Sequence, residues 1–251
     1  MKAKFFALVA LVLGLASCQN DPEGLNVSMG GEVLTTVNVG IPESETRAGG
    51  VNSAQGAITN IDLAGTDYTL RYIFQVFDEN GTASKDKQVK FSDDTDVAFE
   101  VRLVPERKYT FVVWADIVEE SKADDTQPFN YADYHYNTAN FPVVAINENT
   151  WVAMDETRDA FTGKATETSF TSASDITVTL TRPFAKLRVV TTDMASLGQF
   201  NIVPHNAVVT YKTDMRTSFN AFEGSAEGAS LSNKTHTYDI ASYGETGNER
   251  T

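Results

Sequence analysis

The chain has 251 residues, 41% of them hydrophobic, with 34 acidic against 20 basic side chains and a formal charge of −14. A field of that sign repels phosphate backbones and anionic headgroups, which excludes nucleic acid as a partner and any electrostatic hold on a membrane. One cysteine and three histidines leave no disulfide framework and no Cys-rich zinc site, so a packed core must carry the stability.

Met1-Lys2-Ala3-Lys4, the apolar run from Phe5 to Leu15 and the small residues Ala16 and Ser17 form a secretory signal. The run is too short to span a hydrocarbon layer of about 30 Å as a stable helix. Leu15-Ala16-Ser17-Cys18 resembles the lipobox of bacterial lipoproteins, in which the cysteine thiol takes a diacylglyceryl group and becomes the first residue of the mature chain. Residues 1–17 are therefore expected to be removed and Cys18 to be lipidated, with several acyl chains giving a stable anchor. Loss of Lys2 and Lys4 takes the formal charge from −14 to −16. Residues 18–31 read as a lipidated tether. Asp21 and Glu23, although separated, resemble the acidic surface-export signal of some Bacteroidetes lipoproteins, a resemblance that implies a body displayed on the outer membrane, facing outward.

The first strand is expected over Glu32–Ile41, where Val33, Thr35, Val37 and Val39 alternate with Leu34, Thr36 and Asn38 until Pro42 stops the run. Glu43 to Gly56 has the small and polar residues of an exposed loop and contains Glu-Thr-Arg47-Ala48. Tyr68–Phe77 carries an unbroken apolar face of Tyr68, Leu70, Tyr72, Phe74 and Val76, and Asp78-Glu79-Asn80-Gly81 supplies a turn. Val97–Leu103 alternates again. Tyr109–Ala115 is apolar on both faces, which predicts a central strand covered on two sides. Further strands are expected at Val143–Ile146, Ile176–Thr181, Ala185–Thr192, His205–Thr213 and Thr235–Ile240, and no stretch has helical periodicity. Many short strands separated by turn residues predict an all-β sandwich. Ser242 to Thr251 is polar and offers no closing strand.

Catalysis has little to draw on. His135, His205 and His236 are far apart and show no metal-binding spacing, and they read as surface histidines. There is no Gly-x-Ser-x-Gly elbow and no phosphate loop. Ser92-Asp93-Asp94-Thr95-Asp96 offers oxygens to a hard cation but without EF-hand spacing, and reads as a solvated turn. No metal, cofactor or enzymatic activity is expected. Asp124 to Thr150 reads as a long loop in which aromatic residues gather. Tyr131, Tyr134, Tyr136 and Trp151 are candidates for stacking on a sugar face, and aromatic side chains so placed would equally cover a sandwich edge or pack between domains.

Leu180-Thr181-Arg182-Pro183-Phe184-Ala185-Lys186-Leu187-Arg188-Val189-Val190-Thr191-Thr192-Asp193 resembles a signature segment of fimbrillin-like, type V pilus-related outer-membrane lipoproteins of Bacteroidetes. Supporting stretches are Tyr109–Asp116, Asp159–Gly163 and Thr217–Gly224, scattered over most of the chain in the expected order. The resemblance implies two tandem β-sandwich domains of transthyretin-like, Greek-key form, one over residues 32–182 and a second, incomplete one over 183–251. It also implies a cut between Arg47 and Ala48, release of the first strand, and entry of a strand from another subunit. The expected role is thus pilus assembly or adhesion by β-strand complementation, with other fimbrial subunits as partners. The alternative is a surface lipoprotein that binds glycan or another host ligand without polymerising.

Overall fold

The computed structural model describes residues 31–42, 63, 67–119, 133–151, 155–170, 175–184, 196–197, 199–200, 206–212, 215–239, 245–246 and 249–250. Its strands are β1 (Val33–Gly40), β2 (Tyr68–Phe77), β3 (Gln88–Ser92), β4 (Asp96–Leu103), β5 (Arg107–Glu119), β6 (Tyr136–Asn137), β7 (Val143–Ile146), β8 (Ala160–Phe170), β9 (Ile176–Thr179), β10 (Asn206–Tyr211), β11 (Met215–Asn220), β12 (Ser225–Leu231), β13 (Lys234–Asp239), β14 (Glu245–Thr246) and β15 (Glu249–Arg250). The all-β expectation holds, and β2 and β7 have the bounds that their alternation predicts. The expected strand Ala185–Thr192 lies outside the described residues.

A front sheet in the order β4-β1-β9 faces a middle sheet in the order β3-β2-β5-β8. Alternation explains the packing between them. The inward residues Val33, Val37 and Val39 of β1, Phe99, Val101 and Leu103 of β4, and Ile176 and Val178 of β9 meet Leu70, Tyr72, Phe74 and Val76 of β2 and Phe111, Val113 and Ala115 of β5 in one buried cluster. Phe74 stacks on Phe99 at 4.9 Å between ring centroids. The chain passes from β1 to the middle sheet and returns to lay β4 antiparallel beside β1, while β9 comes back parallel to β1 on its other side. The return of β4 to the side of β1 is that of a Greek key.

The far face of the middle sheet is also covered. Ile73, Trp114 and Ala160 pack against Tyr136 and Val144, and Phe77 and Val112 against Ala221, with Phe141, Phe219 and Phe222 at their margins. These covering residues belong to a third sheet, ordered β12-β11-β7-β6, and to its turns. The predicted two-sided burial of Tyr109–Ala115 is therefore met, by a layer the sequence did not announce. Because β7 pairs with β11, this sheet joins residues on both sides of the boundary expected after residue 182.

Seven of the described strands were not expected: β6, β14 and β15 are two-residue segments, the last two pairing with each other within Ser242–Thr251, where no strand was expected, and the other four have a local reason. β3 is short and lysine-bearing, and β11 and β12 are largely exposed. β8 replaces apolar alternation with small residues where it approaches β9. Thr162 and Thr181 exchange backbone hydrogen bonds of 2.8 and 2.9 Å there. A Cβ on Gly163 would lie 2.3 Å from the carbonyl oxygen of Thr179 and 3.0 Å from Leu180. Gly163→Val should therefore cost about 1–3 kcal/mol through forced displacement of backbone, read as a lower urea midpoint.

Candidate functional site

β1 lies between two strands along a continuous seam. It pairs with β4 from Val33↔Leu103 to Gly40↔Asp96, and with β9 from Val37↔Ile176 to Gly40↔Thr179. The seam continues past its C-terminal end, where Ile41 N–H donates to Thr95 O at 3.1 Å and Leu180 N–H to Gly40 O at 2.9 Å. Just before it, Glu32 meets Lys85 Nζ at 2.7 Å. Val33, Val37, Val39 and Ile41 are all buried. Each such side chain contributes about 1.5–3 kcal/mol, so together they hold about 6–12 kcal/mol, comparable to the whole stability margin of about 5–15 kcal/mol of an ordinary domain. One inward residue is discordant. Thr35 is 1% exposed and its hydroxyl has no hydrogen-bond partner.

The outer edge of the front sheet is less available. The carbonyls of Ala98 and Glu100 on β4 accept from the side chains of Lys90 and Gln88 on β3. Side chains thus occupy positions that an added strand would need. Cys18, Arg47 and Ala48 lie outside the described residues.

The aromatic candidates separate. Tyr131 lies outside the described residues. Tyr136 is 4% exposed, packs edge-on against Trp114 at 5.3 Å and stacks with Phe184 at 6.3 Å. It is a core residue and cannot reach a sugar, because the far face of β5 needs its ring. Tyr134 (42% exposed) and Trp151 (37%) do stand at the surface. Trp151 lies over the Arg158 guanidinium at 4.9 Å and beside His236 at 4.9 Å. Burial, then Lys234 and Arg158, hold the His236 imidazole below its ordinary range.

His135 is buried, against the surface placement expected for it. Its Nε2 lies 2.9 Å from the Thr157 hydroxyl, and its Nδ1 lies 3.2 Å from the Thr150 hydroxyl and 3.3 Å from Arg158 Nη1. The Thr157 hydroxyl donates to Asp155, so it accepts from the Nε2–H tautomer. Nearby, Arg71 and Asp116 face each other across β2 and β5 in direct register. Their two hydrogen bonds are 2.8 and 2.6 Å, and Arg71 Nη1 donates to Asp133 at 2.5 Å. Burial raises the Asp116 carboxyl against the pull of Arg71. A cleft of about 160 Å³ opens beside this pair, but its charges are spent on each other. A second pair, Arg182 and Asp159, makes hydrogen bonds of 2.7 and 2.5 Å. Among the described residues no group of three His, Cys, Asp or Glu is placed to hold a metal ion.

Arg71→Met should cost about 3–5 kcal/mol in a urea titration, because it strands the buried Asp116 carboxyl without its partner. The apolar replacement of both residues together should recover most of that loss. A second expectation concerns alkali. Burial pushes up the phenols of Tyr72 and Tyr136, with Asp96 and Asp94 adding to the first, and Asp116, Asp159 and Asp155 adding to the second against the pull of Arg158. Their contribution is full below the ordinary phenol value of about 10 and is lost as pH rises beyond it. Stability measured from pH 8 to 11.5 should fall steeply above pH about 10, and less steeply for Tyr72→Phe.

No curated protein matches the sequence. Solved structures that align with it include the following. An adhesin candidate from Bacteroides thetaiotaomicron shares 15% identity over 86% of this chain and 65% of its own, with a TM-score of 0.46. The fimbrial anchor protein Mfa2 from Porphyromonas gingivalis shares 12% over 86% and 71%, with a TM-score of 0.42. A fimbrial assembly protein from Parabacteroides distasonis shares 12% over 88% and 84%, with a TM-score of 0.33. The chain therefore spans 65% of the length of the first of these. The model of DUF6562, a family of unknown function, matches residues 26–251, and the chain belongs to that family.

Proposed function

We propose that the chain is an outer-membrane lipoprotein, anchored through Cys18 and facing outward, that acts in fimbrial assembly or adhesion by exchanging β1 for a strand of another subunit. One observation carries this reading: β1 fills a slot whose two walls, β4 and β9, both bond to it, and it is the first described strand of the chain. A cut between Arg47 and Ala48 would leave it held by non-covalent contacts alone. The sequence resemblance to fimbrillin-like lipoproteins supplies the order of anchor, strand, cut site and body. Addition at an exposed edge is hindered at β4 by Lys90 and Gln88, which directs an incoming strand to the seam.

The energetics fit replacement and not simple loss. A body without β1 forfeits about 6–12 kcal/mol of apolar burial, so it persists only where another strand with the same alternation takes the slot. The lipid sits on the departing piece. Exchange therefore frees the body from the membrane, and the binding role needs no chemistry beyond one peptide bond cut by an external protease.

A second reading, binding of surface or host glycan, rests on the exposed rings of Tyr134 and Trp151. Titration with oligosaccharides, followed by tryptophan fluorescence and repeated with Trp151→Ala, addresses it directly.

Intact-mass and N-terminal peptide analysis of material from the cell envelope tests the first reading. The expected outcome is an acylated Cys18 in the membrane-bound form and a new N-terminus at Ala48 in high-mass material released from the membrane. Arg47→Gln should abolish the second species. A chain continuous through Arg47 in every fraction would sink strand release.

A further inference from the structure

Resting on the exchange reading above, we infer that the strand that replaces β1 carries an aliphatic β-branched residue, valine or isoleucine, where β1 carries Thr35. The slot has five inward positions, filled by Val33, Thr35, Val37, Val39 and Ile41. Four are aliphatic. The fifth points a hydroxyl into the apolar layer formed with Phe99, Val101 and Leu103, and Thr35 stands directly opposite Val101 in the ladder. The hydroxyl finds no partner, and a buried donor without one forfeits its hydration with nothing in return. Valine has nearly the same shape and no group to desolvate. A strand with valine at this position therefore fits the slot better than the strand that leaves it, with every backbone hydrogen bond unchanged.

The other positions discriminate less. Asn38 is exposed and Leu34 and Thr36 are half-buried, so the outward face makes no comparable demand. Gly40 looks restrictive, since a Cβ there would meet Asp96 Oδ1 at 2.6 Å, but that carboxylate is the exposed end of a flexible side chain and can turn away. Position 35 is the one inward place where β1 is poorer than its slot. It makes β1 a displaceable occupant, and it states the partner's chemistry: an extended segment with aliphatic residues at all five alternating positions.

The full chain, cut after Arg47 with an arginine-specific protease and checked by mass, is challenged with two labelled peptides spanning residues 32–42. One has the native sequence and the other has Thr35→Val. Fluorescence anisotropy reads binding, and mass spectrometry reads loss of the original strand. The valine peptide is expected to displace β1 at a concentration about tenfold or more below that of the native peptide. In parallel, Thr35→Val in the uncut chain should raise the urea midpoint, and Thr35→Ser, which keeps the hydroxyl and removes the methyl, should lower it. Equal potency of two binding peptides would overturn the inference and leave the exchange reading standing. Failure of both peptides to enter the slot would overturn the exchange reading and the inference with it.

Discussion

β5 is buried along both faces for most of its length, and a strand in that condition cannot belong to a sandwich of two sheets with one solvated side. Phe111 and Val113 fill the core shared with the front sheet. Val112 and Trp114 point the other way and require a cover of their own. The third sheet exists to provide it, and its makeup follows from what the outward face presents. Trp114 meets the rings of Tyr136 and Phe219, and Phe77 on the adjacent strand meets Phe222 at 5.1 Å. Segments distant in sequence are recruited into a sheet whose own hydrogen-bonded ladder brings apolar surface to one plane without stranding backbone polar groups.

The same two-sided burial explains the ion pairs. Asp116 and Arg71 lie on the outward face, where neither reaches water, and the antiparallel register sets them directly opposite each other. Once buried, each must have the other, so the pair fixes the register of β2 on β5 more than it adds net stability. Arg71 extends the constraint by gripping Asp133, which in turn accepts from Thr138 N–H at 2.8 Å. The third layer thus begins at a charge held in the second. Arg182 works similarly at the other end: it holds Asp159 just before β8 and lies over the Phe161 ring at 5.2 Å. Its place in the Leu180–Phe184 segment has a structural reason independent of any partner.

Alternation made β1, β2, β4 and β5 legible, since each presents at least one apolar face at period two. It was silent where packing substitutes closeness for bulk, as at Gly163, and where strands are largely solvated, as in β11 and β12. The burial of Tyr136 and His135 was hidden because their segment is polar, and polarity in sequence does not reveal that hydroxyls and a guanidinium will satisfy a ring from all sides. A usable signal for the Arg71–Asp116 pair did exist. Arg71 sits between Leu70 and Tyr72, and Asp116 directly follows an unbroken apolar run. Two opposite charges embedded in strands that are otherwise apolar invite the inference that they meet.

This architecture also distinguishes β1 from β2 and β5. Removing β5 would open both cores at once and orphan Arg71. Removing β2 would do the same from the other partner. β1 touches only the first core, has one buried face, and takes no part in either buried ion pair. Its loss would leave β2, β5 and β8 still bonded to one another and still backed by the third sheet. The middle sheet would then present Phe74, Phe111 and Val113 to an open slot without losing its own register. On the exchange reading, the third layer that β5 demands is what would keep the middle sheet backed while the front sheet is incomplete.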